Sequence, residues 1–342
     1  MTFGLAEPVI TISGEFPKGS TMSFEEVPYD QYEETKARLK MWELAPEKLS
    51  VEGNTYYLED ELGYGGYGSV YSMTSTCGEK IALKLQKALN EKSVQSFQNE
   101  VSIWKQLKHR NIIKLLGHKE DYFAELTLLM MEHAGYGDLF SFIDKYEDRT
   151  PSVFRHRIAC QLIDALAYMH RSGFVHCDVK PENVIFTELA TVKICDFGAA
   201  RRIYCDGDGM ELKQCIRKGT TSFLTPEKYY GIPSYSTKDD VWALGMTLLY
   251  LALGYCPWDA AAEDDQQYQL WKIEPTRLPQ YVQIKGEEPT FFELLRNMLH
   301  PVEDSRWTMA ESTSSYYIRE SHREEGYPSK KCLKRRFKIM SC

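Results

Sequence analysis

The spacing of apolar residues changes near residues 131–135, and this change limits the folds that the chain can adopt. Before it, three short runs rich in β-prone residues cover Tyr56–Leu62, Ser69–Thr74 and Lys80–Leu85, separated by glycine-containing turns. After it, apolar residues recur at helical spacing, as they do along residues 158–169. The pattern therefore predicts a small sheet-rich unit followed by a larger unit that is mainly helical.

The sheet-rich half also contains one helical pattern and two more apolar runs. Phe97, Val101 and Trp104 recur every three or four residues and predict a helix. Asn111–Leu116 and Leu126–Met131 are short apolar runs and predict two further strands. One helix therefore interrupts the predicted sheet.

The length of 342 residues fits about two folded units, and the net charge bears on whether the chain as a whole attracts polyanions. With 41 basic and 49 acidic residues the net charge is −8, which gives the whole chain no general attraction for nucleic acid or an anionic membrane. The 9 cysteines are odd in number and scattered, unlike those of a disulfide framework. The N-terminal residues 1–20 lack the early basic residues and the apolar core of a secretory signal. We therefore expect an intracellular protein of the cytoplasm, the nucleus or both.

One stretch, Val241–Trp258, is uncharged and long enough to resemble a membrane span. As a helix it would be about 27 Å long, which is shorter than the ~30 Å hydrocarbon core of a bilayer. Asp239 and Asp240 precede it and Pro257 lies near its end. We therefore predict a helix that is buried in the protein core.

A glycine-rich motif lies between the first two predicted strands. Gly63, Gly65 and Gly68 have the G-x-G-x-x-G spacing that lets a backbone approach phosphate oxygens. A dinucleotide-binding fold would continue with a helix, but here Ser69–Met73 continues as a strand, which favours a hairpin laid over a nucleotide. A simple glycine-rich turn is the alternative.

Lys84 stands in the otherwise apolar run Ile81–Leu85, where an unpaired ammonium group would be costly to bury. It therefore needs an anionic partner. Glu100 lies on the predicted helix and can supply one carboxylate, and phosphate groups can supply further negative charge. The alternative is a lysine that extends from an edge strand to solvent, beside a solvated glutamate.

Four polar residues lie close together in the helical half: Asp178, Lys180 and Asn183, then Asp196 in the triplet Asp196–Gly198. Phosphoryl transfer needs a carboxylate that accepts a hydroxyl proton, a cation at the transferring group, and oxygen ligands for magnesium. The four residues supply these groups. Each one alone is an ordinary loop residue, but their order and spacing together favour a catalytic site.

With these motifs in order, the chain resembles a eukaryotic-type serine/threonine protein kinase over Tyr56–Tyr317. The resemblance implies an α+β, bilobal protein kinase fold, with a small antiparallel-sheet N-lobe that carries one major helix and a larger, mainly helical C-lobe. The kinase domain would cover residues 56–318, made up of the N-lobe 56–131, the hinge 132–135 and the C-lobe 136–318. Residues 1–55 would form an N-terminal extension that docks weakly, and residues 319–342 a basic C-terminal tail.

The resemblance also implies ATP and Mg²⁺ as cofactors and assigns roles to residues. The catalytic residues would be Asp178 as the base, Lys180 at the γ-phosphoryl group, and Thr220, which hydrogen-bonds to both. The metal ligands would be Asn183 and Asp196. Met131 would be the gatekeeper, and the hinge backbone from Glu132 to Ala134 would meet adenine. The nucleotide-binding set is Leu62, Gly63, Gly65, Gly68, Val70, Ala82, Lys84, Glu100, Met131, Glu132 and Ala134.

The acceptor is predicted to be serine or threonine, in a protein substrate. Gly219–Thr220 is similar to the opening of this segment in serine/threonine kinases, and Thr225–Glu227 stands where the family has Ala-Pro-Glu. Arg306 resembles the late arginine that pairs with the glutamate of that triplet. Asp138 and Glu182 match positions at which basophilic kinases hold an upstream arginine of the substrate, and ordinary solvated acids are the alternative.

Two departures bear on regulation. Most relatives have an arginine at the position of Cys177, where it binds a phosphate on the activation segment, whereas a cysteine carries no fixed positive charge. Ile216, three residues before Gly219, occupies the usual phosphorylation position and has no hydroxyl. We therefore expect activity that does not require phosphorylation of this segment. Cys195 is predicted to be either an accessible thiol of the nucleotide cleft or a buried, inert one.

Within the family, residues 257–259 and 268–272 resemble the checkpoint-effector kinases of the calmodulin-dependent-kinase-like group. This resemblance implies a part in checkpoint or cell-cycle signalling. The tail has 6 basic residues within residues 330–338, which suits nuclear import, an anionic membrane surface, an intramolecular pseudosubstrate or merely a solvated tail. We expect a monomer that does not bind nucleic acid directly. A pseudokinase scaffold and a small-molecule kinase are the rival functions.

Overall fold

A computed structural model describes residues 11–12, 40–51, 53–65, 68–121, 125–145, 151–216, 219–275 and 288–320. The chain divides into two compact units. The N-terminal unit comprises Met1–Lys105 and Lys114–His133, and the C-terminal unit comprises Gln106–Ile113 and Ala134–Cys342. The basic run at residues 330–338 lies outside the described residues.

The N-terminal unit is built on a seven-stranded antiparallel sheet in the order β1-β2-β3-β4-β5-β7-β6. The three predicted strands of the first half are confirmed as β3, β4 and β5, and each is longer than its apolar pattern because polar residues continue the ladder. The strands are β1 (Thr11–Ile12), β2 (Lys48–Val51), β3 (Asn54–Gly65), β4 (Gly68–Ser75), β5 (Lys80–Lys87), β6 (Leu115–Asp121) and β7 (Leu126–Glu132).

The predicted strand over Asn111–Leu116 is wrong in most of its length. β6 begins only at Leu115, whereas Ile112 and Ile113 are buried in the C-terminal unit. There the N–H of Ile113 donates a hydrogen bond to the carbonyl of Ile194 at 3.0 Å. A short apolar run shows that a segment is buried, but its spacing does not show which partner buries it.

One helix, α1 (Glu91–Trp104), belongs to the N-terminal unit. It begins at a capping box in which Asn90 accepts from the backbone N–H of Ser93 while the hydroxyl of Ser93 lies 3.2 Å from the backbone N–H of Asn90. Phe97, Val101 and Trp104 are buried, as their spacing predicts. The sequence therefore predicts the apolar face of this helix correctly.

The segment before Asn54, which the sequence assigns to a weakly docked extension, contributes to the core of the N-terminal unit. Residues 40–44 are helical and β2 pairs with β3. Met41, Leu49 and Val51 are buried in the same apolar cluster as residues of β4 and β5. Their packing on the sheet is a tertiary contact, which the sequence pattern alone does not show.

The C-terminal unit is mainly helical and has two small two-stranded sheets, in which β8 pairs with β11 and β9 with β10. Its helices are α2 (Leu139–Lys145), α3 (Ser152–Arg171), α4 (Pro226–Tyr230), α5 (Ser236–Leu253), α6 (Gln266–Ile273), α7 (Pro289–Met298), α8 (Met309–Thr313) and α9 (Tyr316–Glu320). Its strands are β8 (Phe174–Val175), β9 (Val184–Glu188), β10 (Thr191–Ile194) and β11 (Arg201–Arg202).

Helix α5 contains most of the uncharged stretch and is the central helix of this unit, as predicted. Nearly all of its residues from Asp239 onward are buried. A Cβ at Gly245 would lie 2.9 Å from the side chain of Leu299, so the absence of a side chain lets α5 pack closely on the residues that end α7. None of the helices in the described residues is long and apolar enough to span a membrane.

Candidate active site

The glycine motif lies on the β3–β4 hairpin of the N-terminal unit, where Gly65 is opposite Gly68. Gly68 has φ +115°, and a Cβ on it would lie 2.1 Å from the carbonyl oxygen of Leu85, so the packing itself requires glycine there. A Cβ on Gly63 or Gly65 would meet no heavy atom within 4 Å. Packing in this unit therefore explains Gly68 but not the other two glycines.

Lys84 and Glu100 form a buried ion pair within the same unit. The ammonium nitrogen of Lys84 on β5 lies 3.6 Å from Oε1 of Glu100 on α1, and both side chains are more than nine-tenths buried. Removing two charges from water is costly, so a pair of this kind needs mutual attraction and further polar contacts to persist. The structure thus brings together the two residues that the sequence pairs.

Three further residues of the predicted nucleotide-binding set share one face of the sheet with Lys84. In the antiparallel ladders Val70 is opposite Lys84, and Ala82 is opposite Met131, so these side chains point to the same side. The apolar cluster that contains Met41 occupies the other face, through the alternate residues of β4, β5 and β7.

The other apolar member of the predicted nucleotide-binding set, Leu62, and the two hinge residues lie at the margins of this sheet. Leu62 is exposed in a bulge of β3, between Glu61 and Gly63. Glu132 is the last residue of β7, and Ala134 is the first residue of the C-terminal unit's main segment.

Asp178, Lys180 and Asn183 form a hydrogen-bonded cluster in the C-terminal unit. The ammonium nitrogen of Lys180 lies 3.2 Å from Oδ2 of Asp178 and donates to the hydroxyl of Thr220 at 3.0 Å. The amide nitrogen of Asn183 donates to the backbone carbonyl of Asp178 at 2.8 Å and to its Oδ2 at 3.3 Å. A single carboxylate is therefore held by a cation and an amide, and the cation also positions the threonine.

The β9–β10 hairpin places the two predicted metal ligands at one end of a sheet. Asn183 directly precedes β9 and Asp196 follows β10, while Val184 and Ile194 are opposite each other in the ladder. The N–H of Cys195 donates to the carbonyl of Asn183 at 3.0 Å. Asp196 has a positive φ of 63°, which is unusual for a residue with a side chain and re-aims its carboxylate.

Cys195, the residue between β10 and Asp196, is half-buried. Its carbonyl lies 3.1 Å from Nε2 of His176. This intermediate exposure does not decide between an accessible thiol and a buried, inert one, and the two alternatives stay predictions.

Asp240 anchors the loop that carries Asp178, and the sequence analysis did not assign it a role. Its carboxylate accepts the backbone N–H groups of His176 and Cys177, each at 2.8 Å, and lies 2.9 Å from Nε2 of His170. Burial raises the pKa of Asp240, but these contacts, led by His170, outweigh burial and lower it. The sequence feature that could have indicated this role is the pair of acids directly before the uncharged stretch, because a carboxylate buried there needs hydrogen-bond donors.

Cys177 is uncharged at neutral pH. Burial, followed by the charge of Asp240, raises the pKa of its thiol to about 12. Its backbone has a positive φ of 66°. The position that the sequence identifies as a missing arginine therefore holds a buried, neutral side chain.

The triplet Thr225–Glu227 is fixed from two sides. Both oxygens of Glu227 accept from Nη2 of the buried Arg306, at 3.0 and 3.2 Å, which confirms the pairing implied by the resemblance. Thr225 caps α4 and donates its hydroxyl to Asp239 at 3.0 Å. Burial raises the pKa of Asp239 to about 6, while nearby Lys228 opposes the shift.

The two acids predicted to bind a substrate arginine differ in what they contact. Oδ1 of Asp138 accepts the N–H of Ser141 at 2.6 Å and Oδ2 accepts its hydroxyl at 3.1 Å, so this carboxylate caps the first turn of α2. Glu182 is exposed, in the 3₁₀ turn Pro181–Asn183. Of the two, Glu182 presents its carboxylate to solvent.

The sequence was compared with known families and curated proteins. The family profile described as protein kinase domain matches residues 56–318. Serine/threonine-protein kinase stk11 of Xenopus laevis is 30% identical over 278 residues, which cover 78% of this chain and 61% of that protein. Its Gallus gallus namesake is 28% identical, with 78% and 60% covered. Wall-associated receptor kinase-like 3 of Arabidopsis thaliana is 33% identical over 215 residues, which cover 61% and 29%.

The chain thus spans about three fifths of the length of the stk11 relatives and about three tenths of the receptor kinase. The profile nevertheless matches more than half of the chain. The matched residues include the Lys84–Glu100 ion pair and the cluster around Asp178. The chain belongs to the protein kinase family.

Proposed function

We propose that this chain transfers the γ-phosphoryl group of ATP to serine or threonine hydroxyls of proteins. The observation that carries the proposal is the cluster in which Lys180 contacts both Asp178 and Thr220 while Asn183 holds the Asp178 carboxylate. Phosphoryl transfer relies on positioning and electrostatic stabilisation more than on covalent chemistry, and this cluster supplies both. Two relatives named serine/threonine-protein kinase support the acceptor class.

The residues present fit Mg²⁺ and a triphosphate. Both described side-chain hydrogen bonds of Asn183 are donated by its amide nitrogen, which leaves the side-chain oxygen for a cation, and Asp196 adds a carboxylate. Oxygen donors of this kind are those that Mg²⁺ prefers. Gly63 and Gly65 leave open space where a phosphate could approach the backbone, and Lys84 would hold the α- and β-phosphates. Bound Mg²⁺ would neutralise the charge that develops on the phosphates.

In this proposal Asp178 orients the acceptor hydroxyl and takes its proton. Lys180 neutralises charge on the transferring group and, through Thr220, fixes the segment that meets the substrate. Asp240 acts one step further away, because it holds the backbone of the loop that carries Asp178. These contacts within the chain would hold the proton acceptor and the cation in place, so little reorganisation would be needed at the moment of reaction.

Replacement of Asp178 tests the proposal. Asp178→Ala should lower the phosphorylation rate of a protein or peptide substrate by about 10² to 10⁴, the usual contribution of a positioned base. Asp164→Ala, which removes a half-exposed carboxylate of α3, is the matched control and should retain the wild-type rate. A wild-type chain that binds ATP with Mg²⁺ yet phosphorylates no protein or peptide would instead support the pseudokinase scaffold. Transfer to small molecules alone would support the small-molecule kinase.

We also propose a preference for substrates with an upstream arginine, supported mainly by the exposed carboxylate of Glu182. A peptide library phosphorylated by the wild-type chain should show selection for that arginine, and Glu182→Gln should weaken it. Asp138→Asn should weaken it less, because Asp138 already caps α2. Equal use of peptides with and without arginine would remove the preference and leave the kinase activity standing.

Regulation and cellular role complete the proposal. Activity is proposed to be independent of phosphate on the activation segment, because Cys177 is neutral and Ile216 has no hydroxyl. The checkpoint-effector grouping, a cytoplasmic or nuclear site of action, a monomeric state and a role for the basic tail stay predictions. Comparing phosphorylation before and after removal of residues 319–342 would test whether the tail inhibits the enzyme.

A further inference from the structure

A buried carboxylate ties three parts of the C-terminal unit together. Oε2 of Glu303 lies 2.5 Å from the ammonium nitrogen of Lys213, and Oε1 accepts the backbone N–H of Tyr235 at 2.6 Å. The same ammonium nitrogen lies 4.6 Å from the centre of the Tyr235 ring. Glu303 is only 6% exposed, so its charge depends on these donors.

A second carboxylate binds the start of α5. Oε1 of Glu211 accepts the backbone N–H of Thr237 at 3.1 Å, and Oε2 accepts its hydroxyl at 2.5 Å. The first N–H groups of a helix have no partner within the helix, and negative charge is favoured there. Tyr235, the N-cap residue, provides no side-chain cap, so Glu211 supplies from outside the acceptor that the helix lacks.

Further hydrogen bonds connect the same two stretches of chain, residues 211–215 and residues 231–237. Gln214 and Ser234 exchange both of their backbone hydrogen bonds, at 2.8 and 3.0 Å, and the thiol of Cys215 donates to the carbonyl of Gly231 at 3.2 Å. Residues 211–215 therefore lie along residues 231–237. They precede Thr220 by a few residues, and Thr220 accepts from Lys180 in the catalytic cluster.

We propose that Glu211 and Glu303, with Lys213, are positioning residues that hold the activation segment, residues 196–227, in the arrangement that accepts substrate. The inference rests on the proposed kinase function and adds the reason why the segment needs no phosphate: its anchoring charges are already encoded in the chain. Glu303 binds the segment through the ion pair with Lys213, and Glu211 binds it to the first turn of α5 through its hydrogen bonds with Thr237. We name these three residues the carboxylate clamp.

The test compares peptide kinetics of phosphatase-treated full-length proteins. Lys213→Met removes the cation of a half-exposed side chain, and Glu303→Gln removes the opposing charge but keeps an acceptor for Tyr235. Each should raise the KM for the peptide by about 5-fold and leave the KM for ATP unchanged. A rise of this size is expected because one partner of this ion pair is exposed and the other is buried, so its loss should cost more than that of an exposed pair and less than that of a buried one. Lys213→Arg should restore most of the wild-type KM.

A matched control is Lys80→Met. Lys80 is about as exposed as Lys213 and pairs with Glu59 at 2.9 Å in the N-terminal unit, where Glu59 is more exposed than Glu303, and its replacement should leave the KM for the peptide unchanged. Hydrogen–deuterium exchange gives the structural readout. Lys213→Met and Glu303→Gln should speed exchange of backbone amides in residues 204–216, measured well below the melting temperature of each variant.

The second carboxylate is tested by a double-mutant cycle. Glu211→Ala and Thr237→Val should each raise the KM for the peptide, and the double variant should do no more than Glu211→Ala alone, because both changes break one contact. Additive effects would show that Glu211 does not act through Thr237.

The outcomes separate the two proposals. If the wild-type protein is active and Lys213→Met matches it in both the KM for the peptide and amide exchange, the carboxylate clamp is overturned. If phosphatase treatment silences the wild-type protein, the proposed independence from phosphate fails, whatever the variants do.

Discussion

Cysteine side chains show how burial and local contacts set the chemistry of single residues in this chain. Burial raises the pKa of Cys177 to about 12, and burial followed by the charge of Glu182 raises that of Cys256 to about 11. Cys77 is exposed, and its hydrogen bond with the Ser75 hydroxyl is the main cause that lowers its pKa. Because the thiolate is the nucleophile, these thiols should differ widely in reactivity.

Iodoacetamide at pH 8 should therefore alkylate Cys77 well before Cys177 or Cys256 in the folded protein. A thiol with a pKa near 12 has only about one part in 10⁴ ionised at that pH, and burial also blocks access. Mass spectrometry of timed samples measures the order. Alkylation in denaturant, where the three thiols should react alike, is the control, and equally fast labelling of Cys177 in the folded protein would contradict the prediction.

The role of a residue could be predicted from the sequence where its partners lie in the same short motif. It could not be predicted where the partner is distant in the chain. Asp178, Lys180 and Asn183 lie within six residues, so their spacing alone indicates a shared task. Glu303 contacts Lys213 across 90 residues of chain. Only folding creates that contact, and a single glutamate beside an aspartate in a polar loop carries no sign of it.

At the scale of elements, the link between α4 and the turn before α8 depends on one buried ion pair. The side chain of Arg306 is fully buried, donates to the carbonyl of His300 at 3.1 Å and lies over the Trp242 ring at 5.0 Å. Glu227 is its acidic partner. A buried guanidinium without that partner is costly, whereas an apolar replacement of the pair need not be.

Glu227→Ala should therefore lower the free energy of unfolding by about 3–5 kcal/mol, the cost of breaking a buried pair on one side. The double variant Glu227→Ala with Arg306→Met should lose less, because no uncompensated charge stays buried. Urea unfolding of both variants measures the difference. A double variant that is less stable than the single one would show that Arg306 contributes mainly through its other contacts.

Element types were predictable where an apolar pattern is long, and they failed where it is short. The spacing of Phe97, Val101 and Trp104 predicts the buried face of α1, and the uncharged stretch predicts α5 as a core helix. Residues 111–116 look like a strand because several of them are buried, yet the first three of them, residues 111–113, belong to the C-terminal unit. In a run of only six residues, a buried non-strand segment and a strand show the same apolar pattern, and only the tertiary contacts distinguish the two.

At the scale of the molecule, the N-terminal unit extends beyond the start of the family match at residue 56. β2 adds a strand to the sheet beside β3, and Met41, Leu49 and Val51 are buried in its core. Trp42 packs edge-on against Tyr71, with ring centres 5.4 Å apart. The packed N-terminal unit therefore begins before the first residue of the family match.

A chain that starts at Asn54 should consequently be much less stable than one that starts at Lys40. Burial of each Met, Leu or Val side chain contributes about 1.5–3 kcal/mol, so the loss of three is large against a typical domain stability of about 5–15 kcal/mol. Thermal unfolding of the two truncated proteins and the full chain measures this, with the Lys40 start as the control that retains these side chains. If the Asn54 start fails to fold, Leu49→Ala in the full chain should still cost about 2–5 kcal/mol. Equal melting temperatures for all three proteins, with no effect of Leu49→Ala, would show that residues 40–53 only cover the sheet and do not stabilise it.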